Sequence, residues 1–319
     1  MRAIVNNRYG SPDGLELRDI DKPSVTDDGV LVRVRATSVN AYDWHMMRGL
    51  PYVARLSEAL RKPKTTVLGV DVAGTVEAVG RNVTHLKPGD DVFGSRSGAF
   101  AEYVSGRNFV PMPAGLTVGQ AAAVPCAGQT ALQGLRDKGG IQAGQRVLIN
   151  GAGGGVGTFA VQLAKAFGAD VTGVTSARNL DMVRSIGADH VIDYTREDFT
   201  RSGQRYDLIL DAGGNRSLSS VRRALTPEGT LVLIAPGPGR WIGPIARLLG
   251  AILMSRFVGQ RMLPFLSTVS KDDLLAMKEL IEAGKVRPVI DRTYPLSETS
   301  EAIRYLEAGH AGGKVVITV

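Results

Sequence analysis

The sequence predicts an α/β protein, a doubly wound parallel sheet accompanied by a β-rich domain. Three observations predict it. Short β-like runs broken by turn clusters fill the chain to about residue 120, strand and helix patterns alternate from about 121, and at 150–157 an apolar run passes through "NGAGGGVG" into a helical pattern. Strands separated by helices of about ten residues imply parallel pairing, because each crossover returns the chain to the same end of the sheet and leaves a helix covering one face. At 319 residues the chain is long enough for two separate cores.

The elements follow in order. "RAIVNN", "GVLVRVRATSV", "DVAGTVEAVG", "DDVFGS" and "FAEYVSG" read as strands, and "SPDG", "TDDG" and "LKPGD" place Pro, Asp and Gly where turns need them. A β-rich domain is therefore expected over 1–120. "AAAVPCAGQTALQGLRD" reads as helix with a break at Pro125. Next come the strand "RVLIN", a helix over about 155–168, the strand "DVTGVT", the helix "NLDMVRSIGA", the strands "HVIDY" and "YDLILDAG", the helix "SLSSVRRAL" and the strand "TLVLIAP". This alternating domain is expected over 121–265. "SKDDLLAMKELIEAG" is an amphipathic helix, a further strand and capped helix follow, and "GKVVITV" ends the chain as a strand. Residues 266–319 are expected to return to the first domain.

Composition removes several classes of function. The net charge of +7 is scattered, with no dense basic run or aromatic–basic alternation, so nucleic-acid binding is not expected. The single cysteine, Cys126, excludes a disulfide framework and a metal site built from several thiolates, and fits a reducing, cytoplasmic location. The opening "MRAIVNNRYG" shows no charged-then-apolar leader, so no secretory signal is expected. The most apolar stretch, 241–266, is interrupted by Arg247, Arg256 and Arg261 and is too broken for a membrane span, which needs about 20 apolar residues. Its Ile242, Ile245, Leu248, Leu249, Ile252, Leu253 and Phe257 follow helical spacing. A core or subunit-interface helix is expected there, and the sharper alternative is a wall or lid for a lipophilic substrate. Arg247 and Arg256 project roughly 180° apart on such a helix, which disfavours a peripheral membrane contact.

The glycine loop carries the first functional reading. Gly151, Gly154 and Gly157 recur every third residue between a strand and a helix. In a dinucleotide-binding unit the first permits a sharp turn, the second admits a diphosphate to the backbone, and the third lets helix pack closely on strand. The helix amino terminus then offers unpaired N–H groups and the positive end of its dipole. The candidate cofactor cradle is Gly151, Ala152, Gly154, Gly155, Val156 and Gly157. The next strand ends in Thr175 and Ser176, followed by Arg178, with no acid to hold a ribose 2′-hydroxyl; Asp181 lies one helical turn further on. Ser176 and Arg178 suit a 2′-phosphate, so NADPH is expected rather than NADH.

"ATSVNAYDWHMMRG", "VLGVDVAGTVEAVG", "LKPGDDVFG", "AAAVPCAGQTALQGL", "VLINGAGGGVG", "GADHVIDY" and "GKVVITV", in this order, resemble the medium-chain dehydrogenase/reductase superfamily and its zinc-independent quinone oxidoreductase branch, over essentially the whole chain. The resemblance implies a GroES-like catalytic domain, a Rossmann domain, an active site in the cleft between them, and a homo-oligomer, most simply a dimer. Zinc-dependent relatives place ligands where this chain has Asn40, Val70 and Cys126, and one thiolate cannot hold a catalytic zinc. His45, His85, His190 and His310 show no ligand spacing, and no metal is expected. Hydride transfer to an already electrophilic quinone or enone needs no Lewis acid.

The same resemblance implies site residues. Asn40 and Asp43 occupy an "N-x-x-D" segment, where Asn40 orients a substrate carbonyl or the nicotinamide amide, and Asp43 either takes part or fixes local structure. Tyr42 and Tyr52 are candidate proton donors or stacking surfaces. Thr130, Tyr194, Lys138, Ala235 and Lys314 stand at further cofactor-contact positions. The expected activity is NADPH-dependent hydride transfer to a small electrophile, a quinone or α,β-unsaturated carbonyl. The alternatives are a 2-enoyl thioester reductase and a non-catalytic NADPH-binding sensor or scaffold.

Overall fold

The computed structural model describes residues 1–52, 55, 62–64, 66–234, 242–309 and 311–319, without the side chains of 242–245. The chain divides into two units: Met1–Gln129 with Val269–Gly284 and Pro288–Val319, and Thr130–Thr268 with Lys285–Arg287.

In the first unit β1 (Arg2–Asn6) and β2 (Leu15–Asp19) form an antiparallel pair. β3 (Val30–Val39) leads into α1 (Ala41–Arg48), and β4 (Asp71–Val79), β5 (Asp91–Ser95), β6 (Tyr103–Gly106) and β7 (Phe109–Pro111) follow. The short α2 (Val118–Ala122) and α3 (Pro125–Gln133) are separated at Pro125, where the missing amide hydrogen favours a helix start.

The second unit continues with β8 (Arg146–Asn150), α4 (Gly155–Ala166), β9 (Asp170–Thr175), α5 (Leu180–Ser185), β10 (His190–Asp193), β11 (Tyr206–Asp211), α6 (Leu218–Arg223), β12 (Leu225–Leu233), α7 (Ile242–Met254) and β13 (Arg261–Pro264). Then α8 (Lys271–Glu282), β14 (Ile290–Pro295), α9 (Thr299–Glu307) and β15 (Lys314–Thr318) belong to the first unit.

The six strands of the second unit are all parallel, in the order β10-β9-β8-β11-β12-β13. Counted from β8 this is 3-2-1-4-5-6, the doubly wound order in which ligands bind outside the carboxyl ends of the strands where the winding reverses. That point lies between β8 and β11. Leu148, Ile209, Leu231, Phe199 and Met262 fill one buried cluster of this unit. Central strands are apolar almost without interruption because helices cover both faces.

The first unit carries the sheet β14-β15-β3-β4-β5-β7, with β6 also on β3. Its valines and phenylalanines, Val32, Val72, Val92 and Phe109 among them, form one core, and Met47, Leu68, Phe100 and Val315 belong to a second. Register is what matters for function. β15 pairs with β3 so that Val315 faces Val39, and β3 pairs with β4 so that Ala36 faces Ala73. Continuing both ladders by one or two residues brings Lys314, Asn40, Ser38 and Asp71 to one end of the sheet.

The apolar segment differs from its helical pattern. The helix stops at Met254, Phe257 lies in a turn beyond it, and the chain then forms β13. Ala251 is buried, with Met254 and Val258 packed on the same cluster, whereas Leu249, Ile252, Leu253 and Phe257 face outward. Arg247 points inward, and Arg256, in the turn beyond the helix, is exposed. No helix among the described residues is long and apolar enough to cross a membrane.

Candidate active site

The glycine loop lies at the reversal point of the parallel sheet. Gly151 adopts φ +88°, a left-handed conformation that only glycine takes without strain, and its N–H and that of Ala152 both donate to the Val174 carbonyl of β9. A Cβ built on Gly157 would stand 2.1 Å from the Gly151 carbonyl oxygen and 2.7 Å from the Ala152 Cα. Only a hydrogen allows α4 to approach the strand this closely. Gly154 is different. Its φ of −87° suits any residue, and an added Cβ would meet only the Gly151 oxygen at an ordinary 3.4 Å. Nothing in the protein's own packing demands glycine there. Gly154 is also the N-cap of α4, so the amides of Gly155, Val156 and Gly157, in the first helical turn, have no acceptor within the helix. Open space beside free amides and the positive end of a helix dipole is a site that fits a diphosphate.

At the end of β9, Thr175 is buried and its carbonyl accepts from the Tyr194 amide. Ser176 is half-buried, Arg178 is exposed, and Tyr194 is exposed just past β10. The structure therefore brings Thr175, Ser176 and Tyr194 to one strand-end region, close to the loop through the Ala152–Val174 bond. On the other side of β8, Asn150 Nδ2 donates to Asp211 Oδ1 at 2.7 Å. Thr130, on α3, donates its hydroxyl to Ser267 Oγ at 2.8 Å, and the neighbouring Gln133 exchanges two bonds with the backbone of Thr268. Lys138 is exposed, and Ala235 lies outside the described residues.

In the first unit the converging strand ends hold a buried polar cluster. Asp71 is wholly buried, and its Oδ2 accepts from Ser38 Oγ (2.5 Å), Asn40 Nδ2 (2.8 Å) and Lys314 Nζ (3.3 Å), while Oδ1 accepts from the Cys126 amide (2.7 Å). Asn40 Nδ2 also donates to the Ser38 carbonyl, and Asn40 Oδ1 accepts from Lys314 Nζ at 2.5 Å. Lys314, 2% exposed, also reaches the Val39 carbonyl. Lys314, expected among the cofactor contacts, is instead buried within the first unit. Its ammonium joins the Asn40–Asp71 cluster, because the β15–β3 register places it opposite Asn40.

Asp43 is the N3 residue of α1. Its carboxylate accepts from the Asn40 amide (2.7 Å) and the Gly69 amide (3.2 Å), the first being half of a capping box. Burial pushes its carboxyl up to about 7, the nearby Asp71 adds to the rise, and the two amides and Lys314 oppose it. Asp43 thus fixes the start of α1 and so the backbone of Asn40. Tyr42 is exposed on the first turn of α1. Tyr52 is half-buried, with the Arg55 guanidinium 4.6 Å from its ring centroid and 4.3 Å from that of Tyr9.

Sequence reasoning missed Asp71 and Ser38. One signal was present, a lone acid opening the apolar run "DVAGTVEAV"; its partner, 243 residues away, was not visible. Among the described residues no group of three or more His, Cys, Asp or Glu is arranged to hold a metal ion.

Comparison with known proteins agrees with this architecture. Residues 26–167 match the family model for the alcohol dehydrogenase GroES-like domain, and residues 186–317 match the model named zinc-binding dehydrogenase. The chain is 34% identical to the chloroplast envelope quinone oxidoreductase homolog of Arabidopsis thaliana, over 99% of this chain and 98% of the relative. It is also 34% identical to the chloroplastic NADPH-dependent alkenal/one oxidoreductase of the same plant, covering 99% of this chain and 79% of that one. Among solved structures, the quinone oxidoreductase from Coxiella burnetii superposes with a TM-score of 0.88 at 29% identity, over 100% of this chain and 99% of that chain.

Proposed function

This chain belongs to the medium-chain dehydrogenase/reductase superfamily, in its quinone oxidoreductase-like branch, and on that premise we propose that it is an NADPH-dependent, zinc-independent oxidoreductase acting on a quinone or an α,β-unsaturated carbonyl. The observation that carries the reading is Gly154, a glycine that the fold does not need, beside the free amides of α4. The 34% identical relatives whose names contain quinone oxidoreductase and NADPH-dependent alkenal/one oxidoreductase support the substrate class and the cofactor.

When bound, the reduced nicotinamide supplies a hydride to an electrophilic carbon. The first turn of α4 binds the diphosphate, and Ser176 with Arg178 binds the 2′-phosphate. Asn40 has little freedom. Both hydrogens of its amide are donated, to Asp71 and Ser38, and one lone pair of Oδ1 is taken by Lys314. It retains a single acceptor position, which suits an N–H donor such as a carboxamide. A carbonyl substrate needs a donor, and the Tyr42 and Tyr52 hydroxyls are the candidates to supply the proton. The absence of zinc is part of the proposal and is supported by Asn40 and Val70, neither of which is a zinc ligand. A reducing cytoplasmic location and a homodimer complete the reading, the first supported by the single Cys126.

The test is thermal unfolding with NADPH or NADH, followed by loss of the reduced-nicotinamide absorbance with a panel of quinones and enones. Greater stabilisation by NADPH and oxidation by at least one acceptor class are expected. Binding without oxidation by any acceptor would overturn the catalytic assignment and favour a sensor.

A further inference from the structure

Arg247 lies on α7, in the stretch whose pattern suggested only core, interface or lid. Its side chain is 9% exposed and forked over two partners: one Nη donates to Asp211 Oδ2 at 2.6 Å, the other to the Arg216 carbonyl at 2.5 Å. Asp211 ends β11 and is wholly buried. Its other oxygen accepts from Asn150 Nδ2 at the end of β8 and from the Gly214 amide at 2.9 Å. One carboxylate therefore ties together the strand end beneath the glycine loop, the turn 212–216 and, through Arg247, the helix α7. That turn lies against the loop itself, since a Cβ on Gly151 would come 3.2 Å from the Gly213 nitrogen.

The strand order says which part of a dinucleotide this turn flanks. β9, with Ser176 and Arg178 at its end, lies on one side of β8, and β11 lies on the other. The 2′-phosphate belongs to the β9 side, so the turn after β11 stands on the nicotinamide side of the diphosphate. We propose that Arg247 is a positioning residue that fixes the 212–216 turn as the wall of the nicotinamide half of the cofactor site. This rests on the NADPH reading above and adds a residue from α7 to it. Arginine suits the task because its planar fork reaches a carboxylate and a carbonyl together, whereas lysine offers one point charge.

The test uses the full chain with Arg247→Met, Arg247→Lys and the double variant Asp211→Asn/Arg247→Met, which removes both charges and leaves no unpaired buried carboxylate. Affinities for NADPH and for 2′,5′-ADP, which lacks the nicotinamide half, are measured by calorimetry. NADPH affinity is expected to fall about tenfold in Arg247→Met and in the double variant, and less in Arg247→Lys, with 2′,5′-ADP held within about twofold. Equal losses for both ligands would mean general damage to the unit and overturn the proposal, as would unchanged NADPH binding in the double variant. Failure of the unaltered chain to bind either ligand would overturn the dinucleotide reading, and this proposal with it.

Discussion

Replacing Gly154 by alanine separates what the glycine loop does for the fold from what it does for a ligand. The φ of −87° and ψ of 175° at this N-cap are open to alanine, and the added Cβ meets the Gly151 oxygen at 3.4 Å, an ordinary contact. Alanine is a poorer N-cap than glycine by roughly 0.5 kcal/mol, and it reduces the entropy of the unfolded chain by a similar amount, about 0.4–1 kcal/mol. The unliganded protein should thus unfold within about 2 °C of the parent. The methyl group nevertheless occupies the space over the first-turn amides. Loss of one charge-assisted hydrogen bond to a diphosphate costs about 1.5–3 kcal/mol, so NADPH affinity should fall by about one to two orders of magnitude. Gly157→Ala is the contrasting variant, since its Cβ would sit 2.1 Å from a backbone oxygen. Overpacking against backbone should destabilise it by at least about 1–3 kcal/mol, and its apo melting temperature should drop. Differential scanning calorimetry and NADPH titration on the three proteins decide the matter. If Gly154→Ala binds NADPH within about twofold of the parent, the loop is not the diphosphate cradle.

Other outcomes follow from the same geometry. Ser176→Ala/Arg178→Ala should weaken NADPH about tenfold and leave NADH unchanged in parallel titrations, and equal losses would remove the 2′-phosphate assignment. Lys314→Met leaves the buried Asp71 with three uncharged donors and no cation, so urea denaturation should show a loss of about 3 kcal/mol, partly recovered in Asp71→Asn/Lys314→Met. Asp43, raised from its ordinary 3.8 to about 7, contributes stability that is complete below the unfolded value and is lost as pH rises through the folded one. Between about pH 5 and pH 8 the parent should lose about 2–3 kcal/mol that Asp43→Asn does not, and parallel pH profiles for the two would refute the raised value.

The parts of this molecule that were legible in its sequence are those governed by local rules. A glycine at each third position between an apolar run and a helical one encodes a turn, an approach and a packing contact within eight residues; the turn appears at Gly151, the packing contact at Gly157, and Gly154 leaves open space. Strand and helix alternation likewise gave the parallel sheet, because burial on two faces leaves an unbroken apolar signature. What escaped depends on register or on distance along the chain. Lys314, expected among the cofactor contacts, becomes a partner of Asn40 and Asp71 only when β15 is laid against β3. Arg247 interrupts an apolar stripe, and only the fold reveals Asp211, 36 residues earlier, as the reason. The strand β13 was hidden for a different cause: four residues are too short to show alternation, and the apolar period of α7 runs into them.

The hydrogen-bond capacity of the Asn40 cluster bears on chemistry as well as on folding. Asp71 receives four donors, three on Oδ2 and one, the Cys126 amide, on Oδ1. Lys314 forms an ion pair with Asp71, and Asp43 is raised chiefly by its burial, with the nearby Asp71 adding to the rise. The cluster is a buried support for the strand ends, and Asn40 Oδ1, which accepts from Lys314, keeps one acceptor position. Both hydrogens of the Asn40 amide are already donated within the cluster, which supports the proposed carboxamide contact over donation to a substrate carbonyl. Under the proposed function, the Tyr42 and Tyr52 hydroxyls are the candidates to polarise a substrate carbonyl and supply the proton.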